Sequence, residues 1–226
     1  MSAVRDGAAY PTWSRTGKLA YETFEGPYLD LAGFVAGSRT FAGGGPSWSP
    51  DGGRIVYQAG DYLFVIDPDG SRGRRLAVGD DPHWSPDGRW IAYRTLDEIH
   101  VDLVSRDGRR HRQLAKIWNS EDSIKWSPNS TRLVVGAQII TVATGKTRML
   151  WPVFDAAYLG DFPGPSWSPD GHWLVYAYKT LELVRPDGSG YHKINPCTLT
   201  PTEPTRNAPP HQIMRQFHPA TVRGHS

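Results

Sequence analysis

The side chains that could do chemistry are dispersed along the 226 residues of the chain. The eight histidines, His83, His100, His111, His172, His192, His211, His218 and His225, form no His-x-x-x-His or His-Glu-x-x-His pair. Such pairs put two imidazoles on one helix face around zinc, so a sequence-local zinc site is not expected. Cys197 is the one cysteine, which excludes an internal disulfide framework and a cysteine-rich metal site. No Gly-x-Ser-x-Gly elbow presents a hydrolase nucleophile, and no Walker-type loop cradles phosphates. Asp67-Pro68-Asp69-Gly70 opens like a calcium loop but lacks the further oxygen ligands and the closing Glu. The expectation is a protein with no catalytic residue, metal or cofactor.

Two candidate binding sets remain. His83 is the best single candidate, because it follows Asp80-Asp81 and directly precedes Trp84. Thr12, Ser47, Lys125 and Ser166 hold the equivalent place before four other tryptophans. A ring of dissimilar polar residues can bind a small molecule or sugar, or it can hold water; buried polar groups need only satisfied hydrogen bonds. The second set is Trp118, Glu121, Trp151, Phe154, Tyr158, Asp161 and Phe162, aromatics interleaved with carboxylates. That mixture is common at protein-binding hot spots, and it equally suits a cap over an apolar interior.

The elements that must carry these residues follow from a repeat. Pro11-Thr12-Trp13-Ser14, Pro46-Ser47-Trp48-Ser49, Pro82-His83-Trp84-Ser85, Ile124-Lys125-Trp126-Ser127 and Pro165-Ser166-Trp167-Ser168 align, with their tryptophans 35, 36, 42 and 41 residues apart. Periods of about 20–50 residues mark solenoids and propellers. Three units continue as Ser-Pro-Asp-Gly, from Ser49, Ser85 and Ser168. Pro presets φ at the second corner of that turn and Gly takes the left-handed closing position. Apolar strands such as Ile55-Val56-Tyr57 follow, then Tyr62–Ile66, a second turn at Asp67-Pro68-Asp69-Gly70, and a short strand at Arg74–Ala77. Four short strands per unit of about 40 residues make a propeller blade. The expected fold is therefore all-β, with blades starting near residues 11, 46, 82, 124 and 165 inside a region 1–194. Residues 195–226 hold Pro196, Pro201, Pro204, Pro209, Pro210 and Pro219, and proline removes ladder donors, so an irregular tail is expected there.

The pattern Pro-x-Trp-Ser-Pro-Asp-Gly with an Ile-Val-Tyr-like strand resembles the PD40 repeat, a WD40-like unit of TolB-like propellers and of the propellers in prolyl-oligopeptidase-type peptidases. The resemblance covers residues 11–194. It is strongest in the units at Pro46, Pro82 and Pro165. It is weaker in the fourth, where Asn129-Ser130 replaces Asp-Gly, and in the first, where Arg15-Thr16-Gly17 follows the serine. The resemblance implies six blades against the five tryptophan units present, so three arrangements stay open: a five-bladed ring, a tail forming a poor sixth blade, or a propeller fragment. It also implies a periplasmic or extracellular location, although the N-terminal residues have no signal-peptide pattern.

In an up-down-up-down blade the tight first-to-second and third-to-fourth turns share one end. The second-to-third loops and the links between blades share the other. The long links Lys116–Ser123 and Trp151–Gly164 therefore place the second candidate set at the loop end, where recognition on a rigid frame is usual. The leading expectation is a non-enzymatic scaffold for a protein or peptide partner. The alternatives are a propeller fragment or accessory domain of a hydrolase or lyase, and a small-molecule or sugar binder at the channel mouth. With 25 Lys plus Arg against 23 Asp plus Glu, the chain has no nucleic-acid footprint, and no stretch is apolar enough for membrane insertion.

Overall fold

The structure, a computed structural model, describes residues 8–23, 28–32, 39–42, 44–117, 124–150, 165–177 and 181–194. These residues form twenty strands in five four-stranded antiparallel sheets, with no helix among them. Blade 1 is β1 (Ala8–Trp13), β2 (Leu19–Thr23), β3 (Tyr28–Ala32) and β4 (Arg39–Ala42). Blade 2 is β5 (Gly44–Trp48), β6 (Ile55–Ala59), β7 (Tyr62–Ile66) and β8 (Arg74–Val78). Blade 3 is β9 (Asp80–Trp84), β10 (Trp90–Arg94), β11 (His100–Ser105) and β12 (His111–Lys116). Blade 4 is β13 (Ile124–Trp126), β14 (Arg132–Val135), β15 (Gln138–Thr141) and β16 (Thr147–Met149). Blade 5 is β17 (Ser166–Trp167), β18 (Leu174–Ala177), β19 (Leu181–Val184) and β20 (His192–Ile194). Within every sheet the strands pair in chain order.

The first turn of each blade is built by its serine. Ser49 donates its hydroxyl to Asp51 Oδ1 (2.5 Å) and accepts the Arg54 amide (2.9 Å). Ser85 does the same with Asp87 (2.6 Å) and the Trp90 amide (3.0 Å). In blade 4 the carbonyl oxygen of Asn129 stands in for the carboxylate, accepting from Ser127 at 2.9 Å, so the degenerate unit keeps the turn. Ser49, Ser85 and Ser127 are buried, and a buried hydroxyl that both donates and accepts leaves nothing unsatisfied. The prolines of the inner strands sit where pairing slips. In blade 2 the register passes from Gly44↔Gln58 to Ser47↔Val56, and in blade 3 from Asp80↔Arg94 to His83↔Ala92. A bulge at that point removes the demand for the donor that Pro46 and Pro82 lack.

The core lies in seams between blades, and period-two alternation decides which seam each residue enters. Ile55 and Tyr57 pack with Ala20 of blade 1, whereas Val56 packs with Trp84, Ile91 and Tyr93 of blade 3. Ala92 joins Ile124, Leu133 and Val135 of blade 4, and Val134 joins Leu174, Tyr176 and Val184 of blade 5. A second strand buried on both faces reads as a continuous apolar run. Each fully buried Ile or Leu contributes roughly 1.5–3 kcal/mol. The first strands of successive blades lie side by side, β1 by β5, β5 by β9, β9 by β13 and β13 by β17, as strands do around a propeller axis.

Candidate functional site

Thr12, Ser47, His83, Lys125 and Ser166 occupy one register position, opposite Ala20, Val56, Ala92, Val134 and Val175. Directly opposed residues share a face of the sheet. The Val56, Ala92 and Val134 side chains enter the seam with the following blade, so the candidate ring leans toward that blade. Its backbone is engaged there. The Trp48 indole donates to the Thr12 carbonyl (3.2 Å), Trp126 to the His83 carbonyl (3.0 Å) and Trp167 to the Lys125 carbonyl (3.3 Å). At the remaining described seam the Ser47 hydroxyl accepts the Trp84 amide instead (3.1 Å). Trp48 and Trp84 are 8% and 6% exposed, whereas Trp13 is 58% exposed.

The densest polar cluster lies around His83. Its Nε2 meets Asp81 Oδ1 at 2.8 Å, and Asp81 Oδ2 accepts the Ile124 amide of blade 4 at 3.2 Å. Beside them Arg94 Nε donates to Asp80 Oδ1 at 2.8 Å, with both side chains largely covered. Asp81 has φ +46°, in the left-handed region, where the equivalent residue of blade 2 is Gly45 at φ +56°. A carboxylate held by a histidine and a strand amide offsets the conformational penalty that glycine avoids. Burial works to raise the Asp81 pKa, but the charge and hydrogen bond of His83, the Ile124 amide and Arg94 together bring it down to about 2. Asp81 is therefore an anion at neutral pH, tying blade 3 to blade 4. A similar unit occupies the blade 3 loop: Asp97 accepts from Thr95 (2.5 Å) and meets His100 Nδ1 (2.7 Å), and those contacts with the Ile99 amide lower its pKa to about 2. Among the described residues no group of three His, Cys, Asp or Glu side chains could hold a metal ion.

This architecture recurs in solved structures. The crystal structure of TolB from Acinetobacter baumannii superposes with a TM-score of 0.60 at 21% identity, over 82% of this chain and 53% of that one. A chain of the Kuenenia stuttgartiensis hydrazine synthase gives 0.64 at 15% identity, over 86% of this chain and 68% of that one. The fold is that of a TolB-like β-propeller. The chain spans about half the length of that TolB chain. No family model matches the sequence, and no curated protein matches it.

The TolB-like frame also contains a set of contacts that the motif reading passes over. Arg74 of β8 donates to the Arg106 carbonyl (2.9 Å), Arg112 of β12 to the Ala143 carbonyl (3.1 Å), and Arg148 of β16 to the Asp187 carbonyl. In each case an outer-strand arginine clamps the third-to-fourth turn of the next blade. The signal present in the sequence is Arg-x-Leu, at Arg74-x-Leu76, Arg112-x-Leu114 and Arg148-x-Leu150. Arginines on outer strands otherwise read as guards of exposed edges. Trp118, Glu121, Trp151, Phe154, Tyr158, Asp161 and Phe162 lie outside the described residues, as does the tail 195–226.

Proposed function

We propose that this TolB-like propeller is a non-enzymatic scaffold that binds a protein or peptide segment at its loop end. The observation that carries the reading is that the polar groups of the inner strands are engaged in holding blades together. Ser47 takes the Trp84 amide, Asp81 takes His83 and the Ile124 amide, and three ring carbonyls take indoles. A frame fixed this way leaves recognition to the loops it presents, the usual division of labour on rigid scaffolds. The His83–Asp81 pair supports the same reading: the histidine is oriented, but among the described residues no hydroxyl or thiol is bonded to it for activation.

The test is selection of binding peptides from a displayed library on the full chain, then titration against variants. Trp118→Ala with Tyr158→Ala is expected to weaken the selected peptides at least about tenfold, the loss typical of an aromatic hot spot. Unchanged affinity would remove the loop end as the binding surface. Cleavage of a bound peptide that stops in His83→Ala would remove the non-enzymatic reading. The likeness to a hydrazine synthase chain favours one competitor, a propeller that accompanies the catalytic part of an enzyme. Purification from its native source with a catalytic subunit attached would support that competitor. A thermal shift with free sugars and none with peptides would instead support small-molecule binding at the channel mouth.

A further inference from the structure

The arginines of blades 2 and 3 converge at the end of the molecule formed by the tight turns. Along the seam, Arg74 reaches the Arg106 carbonyl (2.9 Å), the Arg106 amide donates to the Arg89 carbonyl (3.1 Å), and Arg106 Nη2 meets Asp51 Oδ2 (3.1 Å). Arg109 and Arg110 follow in the same turn. Carboxylates balance part of this charge, with Asp87 3.9 Å from Arg89 and Asp107 4.0 Å from Arg109. Arg74, by contrast, is held by a neutral carbonyl, and Arg110 lies over the Trp90 ring at 5.7 Å. Carbonyls and rings fix a guanidinium in place without cancelling its charge. Arg89 and Arg109 are 80% and 86% exposed, and surface pairs at about 4 Å are weak enough to exchange partners. Of the acidic groups of the same blades, Asp51, Asp67, Asp69, Asp87 and Asp107 lie at the turn end, where arginines outnumber them, whereas Asp61, Asp80, Asp81, Asp97 and Glu98 stand toward the loop end. Blades 2 and 3 are thus polarised along the strand direction.

We infer that the turn end of blades 2 and 3 is a docking surface for an acidic polypeptide segment, whose glutamate or aspartate side chains pair with the seam arginines. Guanidinium forks match carboxylates in geometry. Asp51, Asp87 and Asp107 sit among the arginines and repel an unbroken row of phosphates, whereas carboxylates spaced along a peptide fit between them. The surface is distinct from the loop end and stands or falls without it.

The experiment uses the full chain and a fluorescein-labelled peptide carrying six glutamates separated from one another by Gly-Ser spacers, read by anisotropy. Binding is expected at low ionic strength, weakening as salt is raised toward about 0.15 M, because exposed charges are screened beyond about 8 Å there. Arg109→Glu with Arg110→Glu is expected to weaken it at least about tenfold, and Arg109→Gln with Arg110→Gln by a smaller factor. Lys116→Glu, away from the turn end, is expected to leave it unchanged. If the glutamate pair fails to fold by circular dichroism, the glutamine pair and the salt series carry the test. No binding at low salt, equal binding by folded variants, or tighter binding of a single-stranded oligonucleotide of equal charge would overturn the inference.

Discussion

Asp81 shows how one side chain can hold a backbone conformation, a histidine and a neighbouring blade together. Its carboxylate is depressed to about 2 with the surrounding charges and amide outweighing burial, so its contribution to stability has a definite pH window. The folded value lies below the ordinary carboxylate value near 3.9. The contribution is therefore complete above about pH 4 and is lost as pH falls through about 2. Asp81→Asn is expected to lower stability at neutral pH by about 1–2 kcal/mol and to flatten its fall between about pH 4 and 2. Urea melts at pH 7 and pH 3 measure both, and an unchanged acid slope would mean that Asp81 is not the group responsible. The indoles make a second contrast at this scale. Trp126 Nε1 donates to the His83 carbonyl at 3.0 Å, whereas the buried Trp84 Nε1 has no partner among the described residues. Replacing each tryptophan by benzothienylalanine exchanges N–H for sulfur at nearly constant shape. The expected cost is about 1 kcal/mol at position 126 and none, or a gain, at 84. Equal losses at the two positions would contradict the assigned roles.

At the scale of the strand and turn, the blades are joined by close approach of backbone as much as by side chains. Gly145 closes the β15–β16 turn with φ +70°, and a Cβ there would lie 2.4 Å from the Leu114 carbonyl oxygen of blade 3. Gly188 closes the matching turn of blade 5 with φ +81° and open space around it. Gly188→Ala should cost only the left-handed conformation, about 1–2 kcal/mol. Gly145→Ala must also lift its turn from β12, where Arg112 grips the Ala143 carbonyl, and should cost about 3 kcal/mol or more. Equal shifts in thermal midpoint for the two would mean that the turn is not seated on its neighbour. This contrast also separates what could be read in advance from what could not. The turns were legible because Ser, Asp and Gly each have a fixed local job, visible in Ser49-Pro50-Asp51-Gly52. Counting back one residue from each tryptophan also put Thr12, Ser47, His83, Lys125 and Ser166 at one register. Their lean toward the next blade was not legible, since it depends on which seam the opposed residue enters. The Arg74 and Arg112 clamps were hidden because their acceptors are main-chain carbonyls some thirty residues away. The left-handed backbone at Asp81 was hidden because such a conformation is signalled by glycine, and this residue is not one.

Across the whole molecule, stability is expected to follow the number of seams a blade shares. The apolar core divides into four clusters, one at each described seam, and the clamps and indole bonds link only neighbours. In such an array, energies add between adjacent units, and local opening is easiest where a unit has one neighbour. Blade 3 fills seams on both sides, through Ile91 and Tyr93 toward blade 2 and Ala92 toward blade 4. Blade 5 fills the seam with blade 4 through Leu174, Tyr176 and Val184, while Val175 and Leu183 on its other face are only half-buried. The amides of Ile91 to Tyr93 should therefore exchange most slowly, and those of β18 and β19 markedly faster. Leu174→Ala, which removes a fully buried side chain, should cost about 2–5 kcal/mol and be felt chiefly in blade 5. If the array is linear, the substitution accelerates exchange in β18 and β19 and leaves Ile91 unchanged. If exchange at Ile91 accelerates to the same degree, the five blades open as one cooperative body, and blade 5 must be coupled to blade 1 as firmly as to blade 4.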